Sequence, residues 1–147
     1  MSTFADSSAL VKLYADEAGH REIRALDSLV VSALARVEVA SALWRKTRTG
    51  ELGESEASTL VGAFELDFHG DADSDPRFAI VRLTEAVLVT AAQEAARHGL
   101  RAYDAIQLAS AIAVRQLDPG FNRFACFDAD LRRAAGRARF ALVPEGD

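Results

Sequence analysis

The chain has 147 residues, a length that suits one domain around a single core. Hydrophobic residues make up 50% and charged residues 27%, the balance of an ordinary globular protein, and the formal net charge of -5 excludes a protein that coats nucleic acid by bulk charge alone. The single cysteine, Cys126, excludes an internal disulfide and fits a reducing compartment.

Ser2–Ala5 is short and β-prone and predicts a first strand. Asp6 interrupts the N-terminus before an apolar signal region forms, so a cytoplasmic protein is expected. Leu10, Val11, Leu13 and Tyr14 then recur at helical spacing, which puts Asp6 where a strand hands over to a helix. In an open α/β sheet that edge binds ligands, although Asp is also a good helix N-cap. Residues 20–26 predict a short helix and residues 29–31 a second strand. Ser32 is expected to cap a long helix to about residue 49, with Gly50 and Gly53 in the turn after it. Residues 54–68 form a further helix, with Leu60, Phe64 and Phe68 on one stripe. A polar loop over 70–76 leads into a third strand at 78–83. Thr84 caps a helix to about His98, and Gly99 ends it. Residues 103–117 are helical, 124–127 a fourth strand, 130–135 a short helix and 139–143 a last strand. The longest uncharged stretch, residues 105–114, is too short to span a bilayer, so no membrane association is expected. Strands alternating with helices imply an α/β domain over 1–147, with a parallel sheet covered on both faces.

Four acids occupy related places in this pattern. Asp6 ends the first strand. Glu38 is the only charge between Arg36 and Arg45, and it borders the apolar helix face read as Leu34, Val37, Ser41 and Trp44. Alone it would be an acid paired with a nearby Arg at the edge of the core. Asp104 opens a helix that stays uncharged until Arg115, one turn before Leu108, and so is expected to face inward. The positive end of the helix explains an acid in the first turn but not an inward one. Asp128 leaves the fourth strand, with Asp130 read as the N-cap of the next helix and Asp128 as the acid left for chemistry.

Carboxylates gathered at one sheet edge repel unless a cation joins them, and oxygen-only ligands suit Mg²⁺ or Mn²⁺ rather than zinc. His20, His69 and His98 are scattered without metal spacing and are read as surface residues. No Walker loop, GxGxxG or GxSxG occurs, so nucleotide-cofactor and serine-hydrolase chemistry lack support. The run from Asp71 imitates the start of an EF-hand, but Pro76 replaces the needed Gly and Arg82 stands where the bidentate Glu belongs.

Asp6-Ser7-Ser8-Ala9-Leu10-Val11-Lys12, Arg36-Val37-Glu38-Val39, Tyr103-Asp104-Ala105-Ile106-Gln107-Leu108-Ala109 and Phe127-Asp128-Ala129-Asp130-Leu131 together resemble the motifs of the PIN-domain ribonucleases, specifically the VapC toxins of toxin–antitoxin pairs. The likeness covers nearly the whole chain, in order. It implies a PIN-like three-layer α/β/α fold with a mostly parallel sheet of about four to five strands. It also implies a metal-dependent endoribonuclease, usually a homodimer, neutralised by a small VapB-like antitoxin. Cys126 departs from the pattern, which has Ser or Thr two residues before the last acid; that touches a secondary hydrogen bond and not the metal site.

On this reading Asp6, Asp104 and Asp128 are ligands of Mg²⁺, with Mn²⁺ as substitute, and Glu38 ligates or orients the attacking water. Ser7 and Asp130 are secondary helpers. Lys12 and Arg101 are the first candidates to hold RNA, since they lie near the acids in sequence, with Arg45, Lys46 and Arg48 behind them. An antitoxin is expected to insert an Arg among the four acids. Two other classes compete. A phosphoacceptor regulatory domain would need a Lys after a late strand, and the last lysine is Lys46. A catalytically inactive PIN-like interaction module is the remaining alternative.

Overall fold

Alternation along β1 (Ser2–Ala5) sends Phe4 to one face of the sheet and Ala5 to the other, and both are fully buried. A strand buried on both faces needs cover on both sides, and the computed structural model, which describes residues 1–146, supplies it with helices. The other strands are β2 (Ser28–Ser32), β3 (Phe78–Val81), β4 (Arg123–Ala125) and β5 (Ala141–Val143). All neighbouring pairs are parallel, in the order β3-β2-β1-β4-β5.

The helices are α1 (Ser7–Leu10), α2 (His20–Arg24), α3 (Ala35–Arg48), α4 (Glu54–His69), α5 (Glu85–His98), α6 (Ala102–Leu117) and α7 (Ala129–Arg137), with a 3-10 turn over Val11–Leu13 after α1. One core layer joins Phe4, Val30 and Phe124 to α5, α6 and α7. The Phe4 and Phe124 ring centroids lie 5.0 Å apart, and the Phe140 ring packs at a tilt on Phe124 at 5.6 Å. The opposite layer joins Ala5, Leu29 and Val31 to α1, α3 and α4, around Phe64. Each such Phe or Leu contributes about 1.5–3 kcal/mol when fully buried.

The chain runs outward from β1 through β2 to β3, then returns to lay β4 on the other side of β1. The carboxyl ends of β1 and β4 therefore flank the switch point where open α/β sheets hold their ligands. Thr84 accepts a hydrogen bond from the Val87 amide at 3.2 Å to start α5, and Gly99 ends it in a left-handed conformation at φ 65°.

Several local expectations need correction. Ser32 does not cap α3: its hydroxyl accepts from the Leu34 amide at 3.1 Å, and the helix begins at Ala35. The buried stripe of α3 is Ala35, Val39 and Leu43, while Val37 is 68% exposed and Trp44 37%. The two apolar stripes lie two residues, roughly 200°, apart, and the bulkier one is not the core face. The helix after β4 starts at Ala129 and its N-cap is Asp128, not Asp130. His98 is no surface residue: it continues the buried α5 stripe of Val87, Ala91 and Glu94, and its Nε2 stands 3.0 Å from Glu94. Among the described residues, no helix is long and apolar enough to cross a membrane.

Candidate active site

Asp6 is held by its own helix. Its Oδ1 accepts from the Ala9 amide at 3.0 Å and from the Ser8 hydroxyl at 2.7 Å, so it is the N-cap of α1. It is also buried, and burial pushes its carboxyl up to about 7; those two hydrogen bonds work against the rise, and the charges of Glu38 and Asp104 add to it. Asp104 is half-buried in the first turn of α6. Its carboxyl is raised chiefly by burial and then by Asp128 and Glu38, while Arg101 lowers it and Asp130 adds a smaller rise. Asp128 caps α7, with Oδ1 accepting from the Leu131 amide at 2.9 Å. Glu38, in the first turn of α3, accepts at Oε1 from Ser7 at 2.8 Å and from Gln107 at 2.7 Å.

These acids line one cleft. Val37, Ser41 and Arg45 of α3 line it as well, with Arg101 and the exposed Tyr103. Ser7, Ser8 and Gln107 line the same cleft. As the side chains stand, no trio of His, Cys, Asp or Glu among the described residues is drawn close enough to hold one metal ion. The donor set nevertheless suits a hard cation. It is oxygen-only, and the hydrogen bonds to Asp6, Glu38 and Asp128 go to one carboxylate oxygen each. The second oxygens, and Asp104, accept no hydrogen bond among the described residues.

Residues 3–137 match the PIN domain family. The chain belongs to the PIN-domain family. Two ribonucleases of Mycobacterium tuberculosis, VapC45 of strain CDC 1551 / Oshkosh and VapC49 of strain ATCC 25618 / H37Rv, are each 38% identical to it over 95% of this chain and 92% of their own length. This kinship makes it a PIN protein of the VapC type, and the reading as a nuclease family holds against that of a phosphoacceptor domain. The crystal structure of FitAcB from Neisseria gonorrhoeae matches with a TM-score of 0.61 over 97% of this chain and 96% of that one. At 18% identity that likeness supports the fold.

The PIN domain brings Asp6, Ser7, Glu38, Arg45, Arg101, Asp104 and Asp128 to the cleft. It does not bring Lys12, whose side chain is 10% exposed; its ammonium sits 4.2 Å over the Phe127 ring and 3.9 Å from Glu17. Lys46 is likewise engaged, with Glu17 and Glu51. Asp130 is exposed and paired with Arg133 at 3.1 Å. Cys126 is fully buried, and burial, with Asp6 next, pushes its thiol well up, so it is an inert packing residue.

Ser8 and Gln107 carry no signal in the sequence beyond their places in two motifs. Ser8 donates to Asp6 and accepts from the Phe127 amide at 2.9 Å, tying the end of β1 to the turn before Asp128. Ser8→Ala leaves that amide unpaired, with an expected loss of about 1–3 kcal/mol. Urea unfolding should show a lower midpoint at unchanged slope. An unmoved midpoint would mean that water replaces the hydroxyl there.

Proposed function

We propose that this PIN domain is the toxin of a toxin–antitoxin pair, a metal-dependent endoribonuclease that hydrolyses RNA phosphodiester bonds at Asp6, Glu38, Asp104 and Asp128. The observation that carries this reading is the convergence of four carboxylates, from four separate parts of the chain, on one cleft at the switch point of the sheet. Asp6, Asp104 and Asp128 would hold Mg²⁺, or Mn²⁺ on the same oxygens. When bound, such an ion supplies charge relief on the scissile phosphate and a more acidic water. Glu38, fixed through Oε1 by Ser7 and Gln107, keeps Oε2 to orient the attacking water and take its proton. Arg101 and Arg45 line the same cleft and would meet the flanking phosphates.

The partners of this reading are RNA, a second copy of the chain in a homodimer, and a VapB-like antitoxin. An acidic cleft without RNA favours a guanidinium, so the antitoxin would block it with an Arg among the four acids.

The test pairs chemistry with growth. Purified protein should cleave structured RNA with Mg²⁺ or Mn²⁺ and not with EDTA, and Asp6→Ala should not cleave. Induction of the wild-type chain should slow growth, and induction of Asp6→Ala should not. Cleavage that persists in EDTA removes the metal from the mechanism. No cleavage under any condition leaves an inactive interaction module. Identical growth with both chains defeats the toxin role.

A further inference from the structure

Gln107 is 1% exposed, in the buried run of α6 that continues from Asp104. The other polar residue of that run, Ser110, returns its hydroxyl to the Ile106 carbonyl at 2.7 Å, an ordinary arrangement within one helix. Gln107 reaches across the cleft floor instead. Its Nε2 donates to Glu38 Oε1 at 2.7 Å and to Ser7 Oγ at 3.1 Å, joining α6 to α3 and α1. Its Oε1 is buried with no hydrogen-bond partner among the described residues.

The orphaned oxygen shows what sets the amide. Turning the amide over would aim oxygen at the Glu38 carboxylate. The Ser7 hydroxyl could not relieve it, because its proton already goes to Glu38 Oε1 at 2.8 Å. The fold thus tolerates one buried unpaired acceptor so that two donors can close on one oxygen of Glu38. A side chain selected only to fill this space would be apolar and of the same size, with no group left unpaired. We infer that Gln107 is a positioning residue of the nuclease: with Ser7, it locks Glu38 Oε1 and leaves Oε2 for the reacting water. The inference rests on the nuclease reading above.

The experiment uses Gln107→Leu and Gln107→Met, which keep the volume and remove the donors, together with Glu38→Ala and the double variant Glu38→Ala/Gln107→Leu. Single-turnover and steady-state cleavage of one structured RNA with Mg²⁺ are measured, alongside melts in EDTA. Both Gln107 variants should lose kcat on the order of 10–100-fold, the loss typical of removing a side chain that orients an active-site group, with KM for RNA unchanged. Adding Gln107→Leu to Glu38→Ala should cost nothing further, because the amide acts through Glu38. The melts of the Gln107 variants in EDTA should match or exceed the wild type. Wild-type kcat in both variants overturns the inference, as does an additive loss in the double variant or a rise in KM alone. A lowered melt or failure to fold in both variants shows that the fold needs the amide, and also overturns it. Wild-type protein that cleaves no RNA overturns the nuclease reading, and the inference with it; active wild type with equally active variants overturns the inference alone.

Discussion

Asp104→Asn is expected to melt in EDTA at or above the wild-type temperature, and to lose both Mg²⁺ stabilisation and RNA cleavage. The sign comes from the surroundings of Asp104. Its carboxyl is raised by burial, Asp128 and Glu38 more than Arg101 lowers it, so the folded state disfavours its charge. Asparagine keeps the shape and removes that charge. The first turn of a helix favours an acid by only about 0.3–1 kcal/mol, and the upward direction says that this is outweighed. For wild type, Mg²⁺ at about 100 times its dissociation constant adds about 2.7 kcal/mol. In a domain of this size each kcal/mol moves the midpoint by roughly 2–4 °C, so the gain is several degrees. Melts of both proteins in EDTA and across a Mg²⁺ series, with cleavage assayed in parallel, make the comparison. A destabilised apo variant with an undiminished Mg²⁺ shift would make Asp104 a helix-terminal acid with no part in the metal site.

The second large effect belongs to Asp6 and to pH. An Asp in the unfolded chain titrates near 3.8, and in the folded metal-free protein Asp6 titrates near 7. Below 3.8 both states carry the proton and no penalty exists. Between the two values the unfolded chain has released a proton that the folded one still holds, so stability falls as pH rises. Above 7 the full penalty is present, on the order of 1.4 kcal/mol for each pH unit between the two values. In EDTA, wild type should therefore gain stability as the pH drops from 8 to 5. Asp6→Asn should exceed wild type at pH 8 and converge on it at low pH. The rest of the sequence is common to both proteins, so the difference between the two curves reports on Asp6. Asp6→Ala should fall below Asp6→Asn by about 1 kcal/mol, because it also gives up the acceptor for the Ala9 amide. Cleavage should be lost in both. Parallel curves for wild type and Asp6→Asn would show that burial of this carboxyl is not a source of strain.

The sheet and the four acids were legible because their signals are local. Asp6 closes a short β-prone run, Thr84 and Gly99 bracket α5, and the uncharged stretch after Asp104 announces a buried helix. The expected sheet of four to five mostly parallel strands is a five-stranded, fully parallel one. What failed was decided by register. In Asp128-Ala129-Asp130 either acid could cap, and the early end of β4 at Ala125 lets the helix begin behind the first of them. In α3 two apolar stripes compete, and the small residues Ala35 and Val39 are the buried ones while Val37 and Trp44 stay outside. Nearness to Asp6 in sequence puts Lys12 beside the acids, but the fold carries it to Glu17 and Phe127 instead. Gln107 could not be read at all: its partners lie 69 and 100 residues away, and only the folded chain brings Glu38 and Ser7 to its amide.

The position of β1 has a consequence for synthesis. Of the five strands β1 is made first, yet it sits in the middle of the sheet, and its neighbour β4 is made fourth, with Phe4 opposite Phe124 and Ala5 opposite Ala125. Contacts of such long sequence separation form late, since a large loop must close before they can reward it. A nascent chain that has not yet delivered residues 123–125 holds β1 against β2 alone, with its other edge open. It also lacks Asp128. The cleft is thus complete only once Asp128 has been made, and a chain stopped before β4 carries an exposed strand edge and an unfinished cleft.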